Sequence, residues 1–231
     1  FGNLQVEAIA KAEQFRLDND SIGTLDLSTT YARKSGKVSF KTISVNDGYN
    51  FDLSGLINTT DSLSDEIDIN TTFNQTKIGI LQQYLTGIFS KLEGRATGNL
   101  RIKGKANSLK YLGDVSLNDG GLLVDYTKVY YKIPAAQVKF TDGLIDFGKF
   151  QFTDTLGNKG ELTDGKLYHN NFRDMSFDFR VKTNNLLLLN TTNSDNKLFY
   201  GSVIGKANMS FTGPGYDMTM DISGAPTDSS K

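Results

Sequence analysis

Short runs in which apolar and polar residues strictly alternate recur along the whole chain, most of them closed by Gly, Asn or Asp. The apolar members come in pairs two residues apart: Val38 and Phe40, Ile67 and Ile69, Leu100 and Ile102, Val115 and Leu117. The pattern returns at Val138 and Phe140, Phe177 and Phe179, and Met218 and Met220, and the same spacing joins Phe51 to Leu53. Ser, Asp, Arg, Lys and Thr fill most of the positions between them. A period of two sends the apolar side chains to one face of a pleated sheet and the polar ones to the other. The chain therefore reads as one-sided antiparallel β-structure with an apolar face that something must cover.

Strands are predicted near 4–8, 22–27, 37–43, 49–57 and 65–73, with Asn46, Asp47 and Gly48 supplying a hairpin turn. The period then changes. Over 76–93 the residues Leu81, Leu85, Ile88, Phe89 and Leu92 fall on one face of a helix, and Gly94 stands where a C-terminal cap is expected. Leu81, Leu85, Ile88 and Leu92 would lie against the sheet as a plug. Strands resume at 94 and run to 224, and 225–231 reads as a disordered tail. On the order of fifteen strands would make a sheet roughly 70 Å wide, which must coil, split into a sandwich or curl into a trough. A weak repeat relates 98–104 and 113–117 to 207–213 and 216–220, each a strand, a Gly-closed connection and a strand. The expected fold is all-β: an elongated, curled antiparallel sheet with an apolar lining and one short amphipathic helix. Phe211, ahead of Gly213, joins that lining.

Composition removes several chemistries. The 231 residues include no Cys, so disulfides and thiolate sites are excluded. Net charge is -1, with 25 basic and 26 acidic residues interspersed, and no basic patch marks a nucleic-acid partner. No run approaches the ~18 apolar residues of a spanning helix. The start at Phe1 carries no signal-peptide pattern and reads as a piece of a longer protein, with any anchor outside it.

Candidate catalytic groups are few. His169 is the single histidine, no Gly-x-Ser-x-Gly elbow accompanies it, and its setting between Tyr168 and Asn170 reads as a turn or surface position. Asp18, Asn19 and Asp20 resemble the start of a calcium loop but lack its Gly and bidentate Glu, so turn chemistry accounts for them. Asp47, Asp119 and Asp142 each precede Gly, where hairpin geometry selects Asp, and Asp154 completes the carboxylates considered. Tyr126, Tyr130 and Tyr131 form an aromatic cluster read as strand packing. No catalytic residue, metal site or cofactor is expected.

Longer blocks carry a resemblance. LQQYLTGIFSKLEGRATGNLRIKG at 81–104 and LGDVSLNDGGLLVDYTKVYYKI at 112–133, with 157–181 and 189–214, are similar to the AsmA-like superfamily. Within it they resemble most the TamB family of translocation and assembly module subunits, in its Bacteroidetes form. Phe199, Tyr200 and Gly201, with Gly213 and Pro214, are the more specific part. The resemblance implies a periplasmic segment of a protein anchored in the inner membrane, with strands curled into a taco-like trough. It also implies lipid traffic to the outer membrane, or assembly of proteins there with an Omp85-type partner.

Two function classes follow. In the first, the apolar face is a groove for phospholipid or other acyl chains, since each methylene removed from water gains ~0.8 kcal/mol without a polar contact. In the second, the sheet edges hold client β-strands as a chaperone-like scaffold. An ordinary β-sandwich with an adhesive role, and below it a carbohydrate-active enzyme, are the remaining alternatives.

Overall fold

A computed structural model describes residues 4–18, 20–59, 66–85, 89–197 and 200–230. The strands are β1 (Gln5–Leu17), β2 (Asp20–Ala32), β3 (Lys37–Asn46), β4 (Tyr49–Asn58), β5 (Glu66–Lys77), β6 (Phe89–Lys105) and β7 (Ser108–Val124). They continue as β8 (Val129–Thr141), β9 (Leu144–Asp146), β10 (Phe150–Thr153), β11 (Lys159–Asn170), β12 (Arg173–Thr191), β13 (Gly201–Pro214) and β14 (Thr219–Pro226). All fourteen belong to one antiparallel sheet in which neighbours in sequence are neighbours in space, with β9 and β10 sharing the place between β8 and β11. This is a single sheet and not the two sheets of a sandwich.

The expected helix over 76–93 does not form. Thr76 and Lys77 stay in β5, paired with Ala96 and Arg95, and Leu92 lies in β6 opposite Leu122. Among the described residues between the two strands, Gly79–Tyr84 form a 3-10 helix. The segment carries Gly79 and Gly87, each costing a helix about 1 kcal/mol, whereas its ends gain ladder pairing, Thr76 and Lys77 with β6 and residues 89–93 with β7. Tertiary pairing overrides the local period. Gly94 is accordingly not a helix cap but the single β6 residue, at φ 132°, opposite the two β7 residues Asp119 and Gly120 of a bulge.

Irregularities line up across the sheet. The pairing shifts between Phe73 and Thr76 in β5, where Gln75 has φ 54°, and between Glu93 and Arg95 in β6. In β7, Asp119 at φ 51° stands across from Pro134 of β8, between the pairs Asn118–Ala135 and Gly120–Ile133. Asp119 thus serves a kink inside a strand and not the hairpin turn expected of Asp-Gly. Bulges bend and twist a strand, and a line of them bends the sheet.

The bend brings distant strands together. Asn190 of β12 donates its backbone N–H to Thr127 in the β7–β8 turn at 2.8 Å, and the Tyr131 hydroxyl of β8 donates to Leu187 of β12 at 2.9 Å. In a flat sheet β8 and β12 would stand about three strand spacings, or ~14 Å, apart. The sheet is therefore curled. Its surface of 14008 Å² exceeds by about a third the ~10,300 Å² of a compact monomer of this size, so the curl leaves much of one face accessible.

What core there is sits toward the end that carries the turns at 47–48, 125–128 and 154–158. Ile133, Ala136, Phe152 and Leu186 form one cluster there, and Ile22, Leu25 and Tyr49, packed by Ile80 of the 3-10 helix, form the other. The expected disordered tail is partly ordered: Ala225 and Pro226 pair with Lys206 and Gly205, and Thr227 donates its N–H to Ile204.

Candidate functional site

Strand register decides which residues share a face. One row of directly opposed positions runs across twelve strands: Ala10, Leu27, Thr42, Leu53, Thr71, Leu100, Gly113, Phe140, Ile145, Leu167, Phe177 and Gly213. No charge interrupts it. The row one residue over is Lys11, Asp26, Ile43, Asp52, Thr72, Asn99, Asp114, Lys139, Asp146, Lys166, Asp178, Thr212 and Thr219. Its members point the other way, and the signs alternate from Asp114 to Asp178, as favourable cross-strand pairs should.

Parallel rows complete the apolar face. Val38 pairs with Ile57 and Ile57 with Ile67, while Ile69 pairs with Ile102 and Ile102 with Tyr111. Val115 pairs with Val138, Leu117 with Ala136, Phe51 with Phe73, and Phe179 with Phe211, which in turn meets Met220. Phe40 faces Gly55, where a Cβ would stand 2.7 Å from the Phe40 ring. The sequence-predicted lining therefore converges on one face. Leu27, Ile57, Tyr111, Ile145 and Leu167 belong there too and were not foreseen, although the same alternation, followed one strand further, reaches each of them.

Burial shows how this face is covered. Of the seventeen predicted lining residues none is buried: fifteen are half-buried, and Met218 and Met220 at the β14 edge are exposed. A side chain between two layers loses nearly all its contact with water. Half-burial is what side-by-side neighbours on one sheet provide without a second layer. Of the predicted helix face, Leu81 is exposed, Leu85 is half-buried and Leu92 is a strand residue, so these do not form a plug. Ile88 lies outside the described residues.

The outer face is held by ion pairs. Arg101 makes two hydrogen bonds to Asp68 at 2.7 and 2.5 Å, Lys41 meets Asp52 at 3.2 Å, and Asp164 takes both Lys166 and Arg180. The Arg101 guanidinium holds the Asp68 carboxyl below its usual range. The aromatic cluster divides between faces. Tyr131 points into the curl beside Phe152, whereas Tyr130 donates to Glu93 at 2.5 Å under Lys91, and its hydroxyl is pushed up to about 12, first by burial and then by Glu93. Tyr126 is exposed.

The carboxylates considered for chemistry have structural roles. Asp154 is buried and accepts from the N–H groups of Leu156, Asn158 and Leu187 and from the Asn158 amide, at 2.7 to 2.9 Å. Burial raises its pKa, but these donors outweigh that and hold it below the usual value. Asp47 and Asp142 stand in the β3–β4 and β8–β9 turns, the latter bonded by Lys110 at 2.5 Å. Asp18 has the left-handed φ of 52° of a turn residue, and Asp20 accepts the Tyr49 hydroxyl at 2.7 Å. His169, expected in a turn or at the surface, instead lies near the end of β11, 7% exposed and stacked on Phe172. Among the described residues no group of three or more His, Asp or Glu could hold a metal ion. No family model, curated protein or solved structure matches the chain.

Proposed function

We propose that the chain is a groove for acyl chains, a periplasmic segment of a longer envelope protein of the TamB type. The supporting observation is the charge-free row that crosses twelve strands on one face of a single curled sheet, together with the predicted lining residues on that face, fifteen of seventeen of which are half-buried. Such a face binds by removing methylene groups from water, at ~0.8 kcal/mol each, and needs no polar anchor along its length. The charge-free rows suit a tail that slides more than one that is fixed at a point. The resemblance of 81–104, 112–133, 157–181 and 189–214 to TamB supplies the setting: an inner-membrane anchor outside these residues, lipid passing toward the outer membrane, and an Omp85-type partner there.

A second reading, a scaffold for client β-strands, draws on β1 and β14. Both lie at sheet edges with one side unpaired, and β14 is exposed along its whole length. A photo-crosslinking amino acid separates the two readings. Placed at Ile102 or Phe140 on the inner face, it should capture phospholipid in cells, and placed at Asn99 or Ser116 on the outer face it should not. Equal capture from both faces, or none from the inner one, would sink the groove. Protein adducts confined to β1 and β14 would favour the scaffold.

A further inference from the structure

The end of the trough away from the core carries a second device. The β11–β12 turn contains Asn171 and Phe172, both with left-handed backbones at φ 51° and 56°. Its geometry carries Asn171 past the β8–β9 hairpin to the β6–β7 turn. There the Asn171 amide accepts the Leu109 N–H at 2.8 Å and donates to the Asn107 carbonyl at 2.7 Å. One side chain thus replaces a short piece of strand pairing between segments 62 residues apart.

Beneath this contact three rings pack together. His169 lies flat against Phe172 at 4.5 Å with their planes 2° apart, and Tyr111 meets both edge-on, at 5.6 Å from His169 and 4.8 Å from Phe172. Tyr111 belongs to the inner face, opposite Ile102, so the cluster sits in the mouth of the trough. The His169 Nδ1 accepts the Phe172 N–H at 3.4 Å, which places the imidazole proton of the neutral ring on Nε2. Nε2 is buried and has no hydrogen-bond partner among the described residues.

We infer that the β11–β12 turn is a strap across the mouth of the trough, closed while His169 is neutral and released when His169 takes a proton. Protonation would put an N–H on Nδ1 facing the Phe172 N–H it now accepts from, and a charge into a ring pocket that offers Nε2 no acceptor. The titratable and charged groups that act on His169 are Tyr111 of β7, in ring contact, and Asp142 of the β8–β9 turn, paired with Lys110; Tyr168, Arg173 and Asp174 are exposed neighbours along the chain. Burial lowers the His169 pKa and the Asp142 carboxylate opposes that shift. A histidine lowered in this way stabilises the closed form above the ordinary value of ~6.5 and loses that contribution as pH falls through its own lower value. The inference rests on the groove reading for its purpose, whereas the strap itself is tested without lipid.

The test is amide hydrogen exchange by NMR on the full chain, corrected for intrinsic pH dependence, with the Leu109 N–H as reporter. Its protection should fall at least tenfold between pH 7.5 and 5, while amides of β6 and β7 remote from the turn hold theirs. His169→Phe keeps a flat ring and cannot be protonated, so it should retain Leu109 protection at pH 5. Asn171→Ala should lose it at both values. Protection that persists in the wild-type chain to pH 5, or that falls equally in His169→Phe, overturns the strap. If His169→Phe does not fold, the wild-type His169 ring resonances decide: a titration midpoint at the pH where the loss at Leu109 levels off supports the strap, and a different one rejects it. A working strap in a chain whose inner positions never capture lipid would refute the groove and leave the strap standing.

Discussion

The two ends of the trough are built from the same strands and behave differently. Toward the turns at 125–128 and 154–158, Leu186 is fully buried, Asp154 accepts four hydrogen bonds, and β12 touches the β7–β8 turn directly. Away from that end, Val38, Phe40, Ile67 and Ile102 line the same face and remain half-buried. The alternation of residues is equally regular in both regions. What differs is the line of bulges through β5, β6 and β7 and the 19-residue length of β12, which carries it past β10 and β11 to the far wall. Curvature, and not hydrophobicity, separates a core from a groove here.

The largest expected effect tests that contrast by truncation. Leu186→Ala should cost about 2–5 kcal/mol, because the site is enclosed and cannot refill. Ile102→Ala on the open face should cost about 1 kcal/mol, for the part of the side chain its neighbours cover. Chemical denaturation measures both, and equal losses would mean that the open rows are as packed as the closed end.

A charge sharpens the comparison. Leu117 packs against the Ile133, Ala136, Phe152 and Leu186 cluster, so Leu117→Asp should lose about 3 kcal/mol or more. Phe140 lies in the twelve-strand row beside Gly113 and Ile145, and Phe140→Asp should fold with a loss of about 1 kcal/mol because water reaches its carboxylate. Melting temperatures rank the pair, and the reverse order would misplace the boundary between core and groove.

Asp154→Ala should follow at about 2–3 kcal/mol, chiefly from leaving the buried Leu187 N–H unpaired. Its carboxyl is held below the usual value, so its contribution is full above the ordinary ~3.9 and disappears as pH falls through its folded value. Acid titration of stability should therefore show a smaller loss in the variant than in the wild-type chain. The smallest effect is on the outer face, where Asp68→Asn breaks an exposed pair with Arg101 and should change stability by no more than about 0.5 kcal/mol.

Much of this was legible in the chain. Alternation at Val115 and Leu117 or Phe177 and Phe179 assigns faces without reference to any partner, because the pleat dictates a period of two wherever a strand forms. Asp47-Gly48 reads as a turn for the same local reason. Contacts between distant segments were not legible. The helical spacing of Leu81, Leu85, Ile88 and Leu92 satisfied a local rule, yet Leu92 became a strand residue because β7 paired with it through Leu122 and the Gln82 side chain accepted its N–H.

By itself the sequence determined that this is a one-sided antiparallel sheet, which residues face each way and where the Asp47-Gly48 hairpin turns, since all three depend on neighbours a few residues apart. Tertiary structure alone decided where the sheet bends, which part of its apolar face closes into a core, that Tyr131 and not Tyr130 enters the curl, and that His169 is buried against Phe172 and Tyr111. Each of these depends on bulges and on contacts between residues tens of positions apart, whose energies arise only once the strands have paired.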